Sequence, residues 1–435
     1  MLRLLSATLL ATVWLAQPSL CEFVVDGSTS AWGRIDPIVT PGEVAPHVHM
    51  VVGPSNFGKN MFDPNDAKCS SMSVGDDKSA YWAPTLYFRH KNNTFSAMLR
   101  ENVRIYYRFG DEPQYITEFP QGFRMIGGSA KKRGDPYGIF GLELGCSGES
   151  QPSLSLPNTT NHPNGCTLYK LGKWMPSCGN GKPTSENNQD HVVYPTYAGK
   201  IINDRGVCPP THPIRYPTLF VEFFFKMDRS LDQIWRQKGD DDECQIMLSN
   251  GDCIGDTFHV DFMNGWKKGV LQSAIRQDTE CKLSPESGPD ELPRCPTFSR
   301  SYQGGDDGKD LRRRECKSEN QIPDEDIGFG PTTIPKLPGC NPLWKADMPE
   351  KPTGNCDADP GWVTPEIVYS NGYKPDLIPV ARWKGINMTN LSTNYNAIGG
   401  EFYDLKVEKP RWLANIYAKV YNIDTLRFKK YVRRD

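Results

Sequence analysis

The stretch SNGDCIGDTFHVDFMNGW, Ser249–Trp266, opens with a Gly-Asp turn and then alternates apolar and polar residues. Read as a strand, it places Phe258, Val260 and Phe262 on one face, because successive strand side chains point to opposite sides. His259 and Asp261 then share the other face. A carboxylate beside an imidazole can orient the ring, raise its basicity or join it on a metal. One face of this segment therefore reads as core and the other as a candidate site.

The same pattern of turn and short strand recurs along the chain. Thr218–Phe225, TLFVEFFF, is the clearest buried strand, and Glu222 shares a face there with Phe220 and Phe224. A carboxylate so placed needs a partner, with Arg215 the expected one, or carries a raised pKa. Further strands are expected in Pro46–Gly53, at the end of Asp76–Phe88, and in Arg104–Phe109 and Gly122–Ile126. Short helices are expected at Val270–Arg276 and near Arg411–Tyr421. With 39 Gly and 36 Pro, the chain is turn-rich. The fold class expected is mostly all-β, an antiparallel β-sandwich or jelly-roll-like core with long disulfide-tied loops and few short helices. No short repeat supports a β-helix.

Residues 1–21 read as a secretory signal, with Arg3 as its charged start, Leu4–Ala16 as its apolar core and Ser19-Leu20-Cys21 as a cleavage pattern. No later apolar run is long enough for a membrane span. The chain has 13 cysteines, and losing Cys21 with the signal leaves an even set suited to an oxidising compartment. Asn92, Asn158, Asn387 and Asn390 each begin a glycosylation sequon. These features describe an exported, secreted glycoprotein of the extracellular space or cell wall. The formal charge of −2 offers no basic field for nucleic acid. The expected division is a signal peptide (1–21), a β-rich core (22–282), a Cys-bearing, loop-rich extension (283–359) and a C-terminal extension docking on the core (360–435). The protein reads as a monomer.

Histidines cluster in turns and strand ends. His47 and His49 stand two apart in PHVH, so both point to one face of a strand, a spacing that recurs in metal and acid/base sites. His191 follows Asp190, and His212 lies in THP just before the buried strand. Convergence of His47, His49, His212 and His259 with Asp261 would give a catalytic cleft, with Asp190 or Asp252 as further acids. His47, His49 and His259 are the candidate metal ligands, for zinc, copper, manganese or calcium. Tyr81, Trp82 and Trp266 suit a sugar-stacking platform, with Arg215 and Asn264 as polar substrate contacts. Against this stands the reading in which these aromatics are core. Two decoys are set aside. Gly53–Asn60 resembles a phosphate loop but has Asn60 where a Ser or Thr is needed, and the acidic run Gly239–Glu243 lacks calcium-loop spacing.

Several of these stretches together resemble one exported fungal family catalogued as a domain of unknown function, whose members often carry WSC-type sugar-binding modules. The matching pieces are RIDPIVTPG (34–42), PHVH (46–49), DKSAYWAPTLYF (77–88), GFRMIGG (122–128), PSC (176–178), DHVVYP (190–195), THPIRYPTLFVE (211–222), the opening stretch and LPGC (337–340). The resemblance implies an exported, mostly β domain of cell-wall or biomass surroundings, without an assigned chemistry. It also exposes departures. The family's C-x-x-C pair is absent after Cys69, so Cys69 either pairs elsewhere, with Cys253 a candidate, or stays a free thiol. Gly179 and Asn180 replace the tryptophan and acid that follow PSC, and no WSC module is visible.

Three classes of function remain open on this reading. The first is a carbohydrate-active enzyme, a hydrolase or lyase acting on an extracellular or cell-wall polysaccharide through a His/Asp cleft. The second is a non-catalytic wall or glycan binder. The third is an extracellular metal-binding protein.

Overall fold

The computed structural model describes residues 21–110, 113–237, 244–276, 289–304, 316–328, 333–356 and 359–364, with the strands 392–395 and 402–406. The expected helix near Arg411–Tyr421, residues 1–20 of the secretory signal, the acidic run and the sequon asparagines Asn387 and Asn390 lie outside these residues.

Two five-stranded antiparallel sheets dominate. The first runs in the order Cys21–Gly27, Leu99–Gly110, Thr218–Lys226, Tyr169–Trp174, Leu142–Cys146. The second runs Thr29–Gly33, His49–Val52, Ala80–Pro84, Val260–Met263, Arg124–Gly127. The expected strands are therefore present, and Val270–Arg276 is helical. The fold is mostly β, with several antiparallel sheets and few short helices. Among the described residues no sheet closes into a barrel or sandwich: each of the two ends in two edge strands, and the other strands make separate two- and three-stranded sheets. The frequent Pro and Gly keep strands short and break the chain before a sheet can wrap.

Strand alternation sorts the side chains of the second sheet onto two cores. Met50, Val52, Tyr81, Ala83, Phe258, Val260 and Phe262 join the large core, together with Val25, Ile105, Tyr107, Val221 and Phe223 of the first sheet. Val51, Ala80, Trp82 and Met263 face the opposite way, into a smaller cluster with Ile35, Ile38 and Phe57. Each fully buried aromatic contributes roughly 1.5–3 kcal/mol, so the large core secures the sheet while its other face carries polar groups.

The Gly-Asp turn of the opening stretch is real. Gly251 sits at φ 90°, and a Cβ there would lie 2.1 Å from the Pro342 carbonyl oxygen, so only glycine fits. Cys69 pairs with Cys316 and Cys253 with Cys244, which resolves the fate of Cys69 and removes Cys253 as its partner. Cys146–Cys166, Cys178–Cys208 and Cys340–Cys356 are further bridges. Glu222 is buried and meets Lys170 at 3.5 Å, while Arg215 instead pairs with Asp204 at 3.3 Å. The expected Glu222–Arg215 pair is corrected because Lys170 stands on the adjacent strand, two residues from Gly172 and on the same face, with Gly172 opposite Glu222. Burial is the main reason the Glu222 pKa is raised, opposed by Lys170.

Candidate metal centre

The polar face of the second sheet brings three histidines together. His49 begins one strand, His47 precedes it, and His259 immediately precedes Val260–Met263. All three are buried, and their ligand atoms lie within 4.8 Å of one another. His47 Nε2 and His259 Nε2 are 3.3 Å apart, across 212 residues of chain. Imidazole–metal bonds of about 2.0–2.1 Å put tetrahedral neighbours about 3.3–3.4 Å apart, so this separation is already that of two ligands.

Backbone carbonyls fix two of the rings. His259 Nδ1–H donates to the Thr257 oxygen at 2.8 Å, and His49 Nδ1–H donates to the Ile35 oxygen at 3.1 Å. Each bond sets the tautomer from its partner and leaves Nε2 as a lone-pair donor. A metal-ligating imidazole is held in this way, its second nitrogen tied to a carbonyl. His49 Nε2 has no hydrogen-bond partner although it is buried. With His259 Nε2 carrying a lone pair, His47 Nε2–H supplies the hydrogen between those two rings.

Burial lowers the pKa of His47 and His49 well below the ordinary imidazole value, helped by the neighbouring rings, and brings His259 to about 4. All three are therefore neutral near pH 7, the form that binds metal. Loop geometry supports the arrangement. Asp252 accepts the N–H and the O–H of Thr257 at 2.9 and 2.7 Å, which fixes the carbonyl that orients His259. Gly128, at φ 107°, lets its backbone pass where a Cβ would fall 2.9 Å from His259 Cα.

Two acids complete the centre. Asp261 is fully buried, and neither carboxylate oxygen has a hydrogen-bond partner. Its Oδ2 lies 3.8 Å from His259 Nε2, too far for a hydrogen bond. Asp261 therefore does not orient the His259 ring; the Thr257 carbonyl does. Asp36, unmarked as a site residue in the sequence reading, forms a second ligand group with His49 and Asp261. Its Oδ1 accepts the N–H groups of Ile38 and Val39. Burial raises the pKa of both acids, that of Asp36 to about 7 against the pull of its bonds to Val39 and Ile38, and the neighbouring Asp36 carboxylate raises that of Asp261 further, because two carboxylates at close range resist carrying two charges.

The remaining expected site residues are elsewhere or occupied. His212 bonds to Thr211 Oγ1 and the Asp190 carbonyl, both at 3.0 Å, and does not join the trio. His191 is buried against Phe123 and bonds Ser185 Oγ at 3.1 Å. Tyr81, Trp82 and Trp266 are packed inside the protein, so the stacking platform is corrected: their ring faces touch other side chains, not solvent. Asn264 donates to the Phe119 and Pro120 carbonyls, and Arg215 bonds Ser177 and Thr218. A further group, Cys146, His162 and Cys166, has ligand spacing, but its sulfurs are joined in a disulfide and supply no thiolate. Lys351 was also missed. It approaches His47 closely enough to depress its pKa and donates to Asn341 Oδ1 at 2.7 Å. The sequons at Asn92 and Asn158 lie on exposed turns.

Fold and site together define a mostly β, disulfide-tied domain with a buried histidine–aspartate cluster able to hold a divalent metal. The chain belongs to the family described as Domain of unknown function (DUF1996), whose model matches residues 36–266. That span begins at Asp36, ends at Trp266 and holds all five residues of the centre, whereas Lys351 lies beyond it. Comparison with curated proteins and with solved structures finds no match. Among the described residues no helix is long and apolar enough to cross a membrane.

Proposed function

We propose that the protein is an exported metal-binding domain in which His47, His49 and His259 hold one zinc or copper ion, His49 and His259 through Nε2 and His47 once the ion displaces the proton between its ring and that of His259. The observation that supports this most is the pair of Nδ1–H bonds to the Thr257 and Ile35 carbonyls, which turn two buried nitrogens inward as lone pairs. Nitrogen ligands of this kind favour zinc and copper; manganese and calcium prefer oxygen. A dication also answers a charge problem. Two carboxylates, Asp36 and Asp261, lie beside three neutral imidazoles, and one ion of charge two neutralises both when they ionise. A carbohydrate-active reading would need an open cleft beside the imidazoles, and the aromatic side chains it called on are buried.

The test is metal analysis of the full chain purified without chelators, alongside His259→Ala. One equivalent of zinc or copper in the parent, lost in the variant, is the expected result. If metal-free protein offered Zn2+ and then Cu2+ takes up neither, the reading is wrong.

A further inference from the structure

The two ligand groups of the centre differ in chemistry. His47, His49 and His259 offer nitrogen only, whereas Asp36, His49 and Asp261 offer two carboxylates and one imidazole. His49 belongs to both groups, and the His259–Asp261 approach of 3.8 Å links them again. We propose that Asp36, Asp261 and His49 form a second cation position, adjacent to the imidazole one and suited to a hard, oxygen-seeking divalent ion such as manganese. This inference rests on the metal-binding reading above and extends it from one position to two.

Asp261 carries the argument. A fully buried carboxylate whose two oxygens both lack a hydrogen bond is costly, by several kcal/mol even after relaxation, unless a proton or a cation answers it. Asp36 holds Ile38 and Val39 N–H with one oxygen only, so it can accept those bonds and still face Asp261. His49, whose buried Nε2 has no hydrogen-bond partner, belongs to both groups. Oxygen-rich sets take manganese or magnesium; nitrogen-rich sets take zinc or copper.

Charge decides how the positions relate. One dication at either position leaves the buried centre neutral with both carboxylates ionised, while two dications leave an uncompensated excess. The positions are therefore alternatives: the identity of the ion selects which ligands close on it, with His49 common to both. Such an arrangement would discriminate between metals by moving the ion and not by rejecting it.

The experiment compares Zn2+ and Mn2+ affinities by titration of the metal-free full chain, with His47→Ala and Asp36→Asn as variants. Asn at position 36 keeps an acceptor for Ile38 and Val39 and so preserves the local turn. The ratio of Zn2+ to Mn2+ affinity is expected to rise roughly 10-fold or more in Asp36→Asn and to fall by a similar factor in His47→Ala, the scale on which altered ligand surroundings change affinity. Thermal unfolding of each metal-free variant confirms that it folds. A ratio unchanged in both variants, with both ions weakened together, means one undivided site and overturns the inference. In that outcome the metal-binding reading survives; it falls separately if the parent binds no Zn2+ at all.

Discussion

His49 and Asp36 face the same buried space although one begins a strand and the other lies in the loop before it, thirteen residues upstream. The Ile35 carbonyl, adjacent to Asp36, receives the His49 Nδ1–H, so one turn of backbone both orients the imidazole and delivers the acid. That coupling makes the loop Arg34–Thr40 part of the centre and not a cover over it. Arg34 anchors the loop by a two-pronged bond to Glu325 at 2.7 and 2.8 Å.

Metal should therefore stabilise the fold. A ligand at about 100 times its dissociation constant adds about 2.7 kcal/mol to stability. Adding Zn2+ to metal-free protein is expected to raise Tm by several degrees, and the gain should vanish in His49→Ala. Differential scanning calorimetry reads this directly. An equal gain in the variant would place the ion somewhere other than the trio. Because the imidazoles must shed protons to bind, the gain should also shrink as pH falls towards the His259 value of about 4.

Much of this centre was legible, and the part that was not has physical reasons. Alternation alone placed His259 and Asp261 opposite Phe258, Val260 and Phe262, and the cores divide that way. The two-residue spacing of His47 and His49 likewise put both on one face, their rings 4.3 Å apart. His212 misled because a proline-flanked histidine before a buried strand looks the same whichever way the loop turns; only the Asp190 carbonyl shows where it went. Asp36 escaped because an Asp-Pro in a loop signals a turn, and a loop residue's direction depends on what lies above it. The signal available was its place in RIDPIVTPG, close in sequence to PHVH. Bridge partners such as Cys69 and Cys316 are set by strand packing over 247 residues, which spacing does not encode.

The aromatic residues first read as a sugar platform give a second test. Trp266 is 1% exposed, packs edge-on to Phe23 and Tyr107, and donates its indole N–H to the Tyr107 hydroxyl at 2.7 Å. Removing it leaves a cavity and takes one donor from the Tyr107 hydroxyl, which keeps its bond to the Tyr81 hydroxyl. Trp266→Ala is expected to cost about 3–5 kcal/mol, seen as a lowered urea midpoint. A variant of unchanged stability that lost binding to a polysaccharide panel would restore the platform.

Asp77 supplies a prediction in pH. It is fully buried, accepting the Ser79 N–H at 3.0 Å and the Tyr81 O–H at 3.2 Å. Burial raises its pKa from 3.8 to about 7, against the pull of those bonds. Between these values the folded protein keeps a proton that the unfolded chain has released. The resulting stabilisation is complete below the unfolded value and is lost as pH rises through the folded one. Asp77→Asn removes the titration and retains an acceptor for Ser79. Relative to the parent, the variant should gain stability from about pH 4 to pH 7, by up to roughly 1.4 kcal/mol per unit. Urea unfolding at several pH values measures the difference, and a constant offset would show that Asp77 does not titrate there.

The disulfides allow a ranking. Cys244–Cys253 spans 9 residues and Cys69–Cys316 spans 247. In the chain-entropy account, closing the short loop restricts the unfolded chain by roughly 2.5 kcal/mol and the long one by roughly 5 kcal/mol. Bridges inside the long loop shorten it little, since Cys146–Cys166 and Cys178–Cys208 bypass only 20 and 30 residues. The double change Cys69→Ser with Cys316→Ser should therefore lower the denaturation midpoint more than Cys244→Ser with Cys253→Ser. One local effect works the other way. The short bridge anchors the start of the turn that carries Asp252, and Asp252 holds Thr257, whose carbonyl orients His259. Its removal should weaken Zn2+ binding more than removal of the long bridge does, so stability and metal affinity should rank the two pairs in opposite order. Matching orders in both measurements would mean that the turn is held by Asp252 and its neighbours alone.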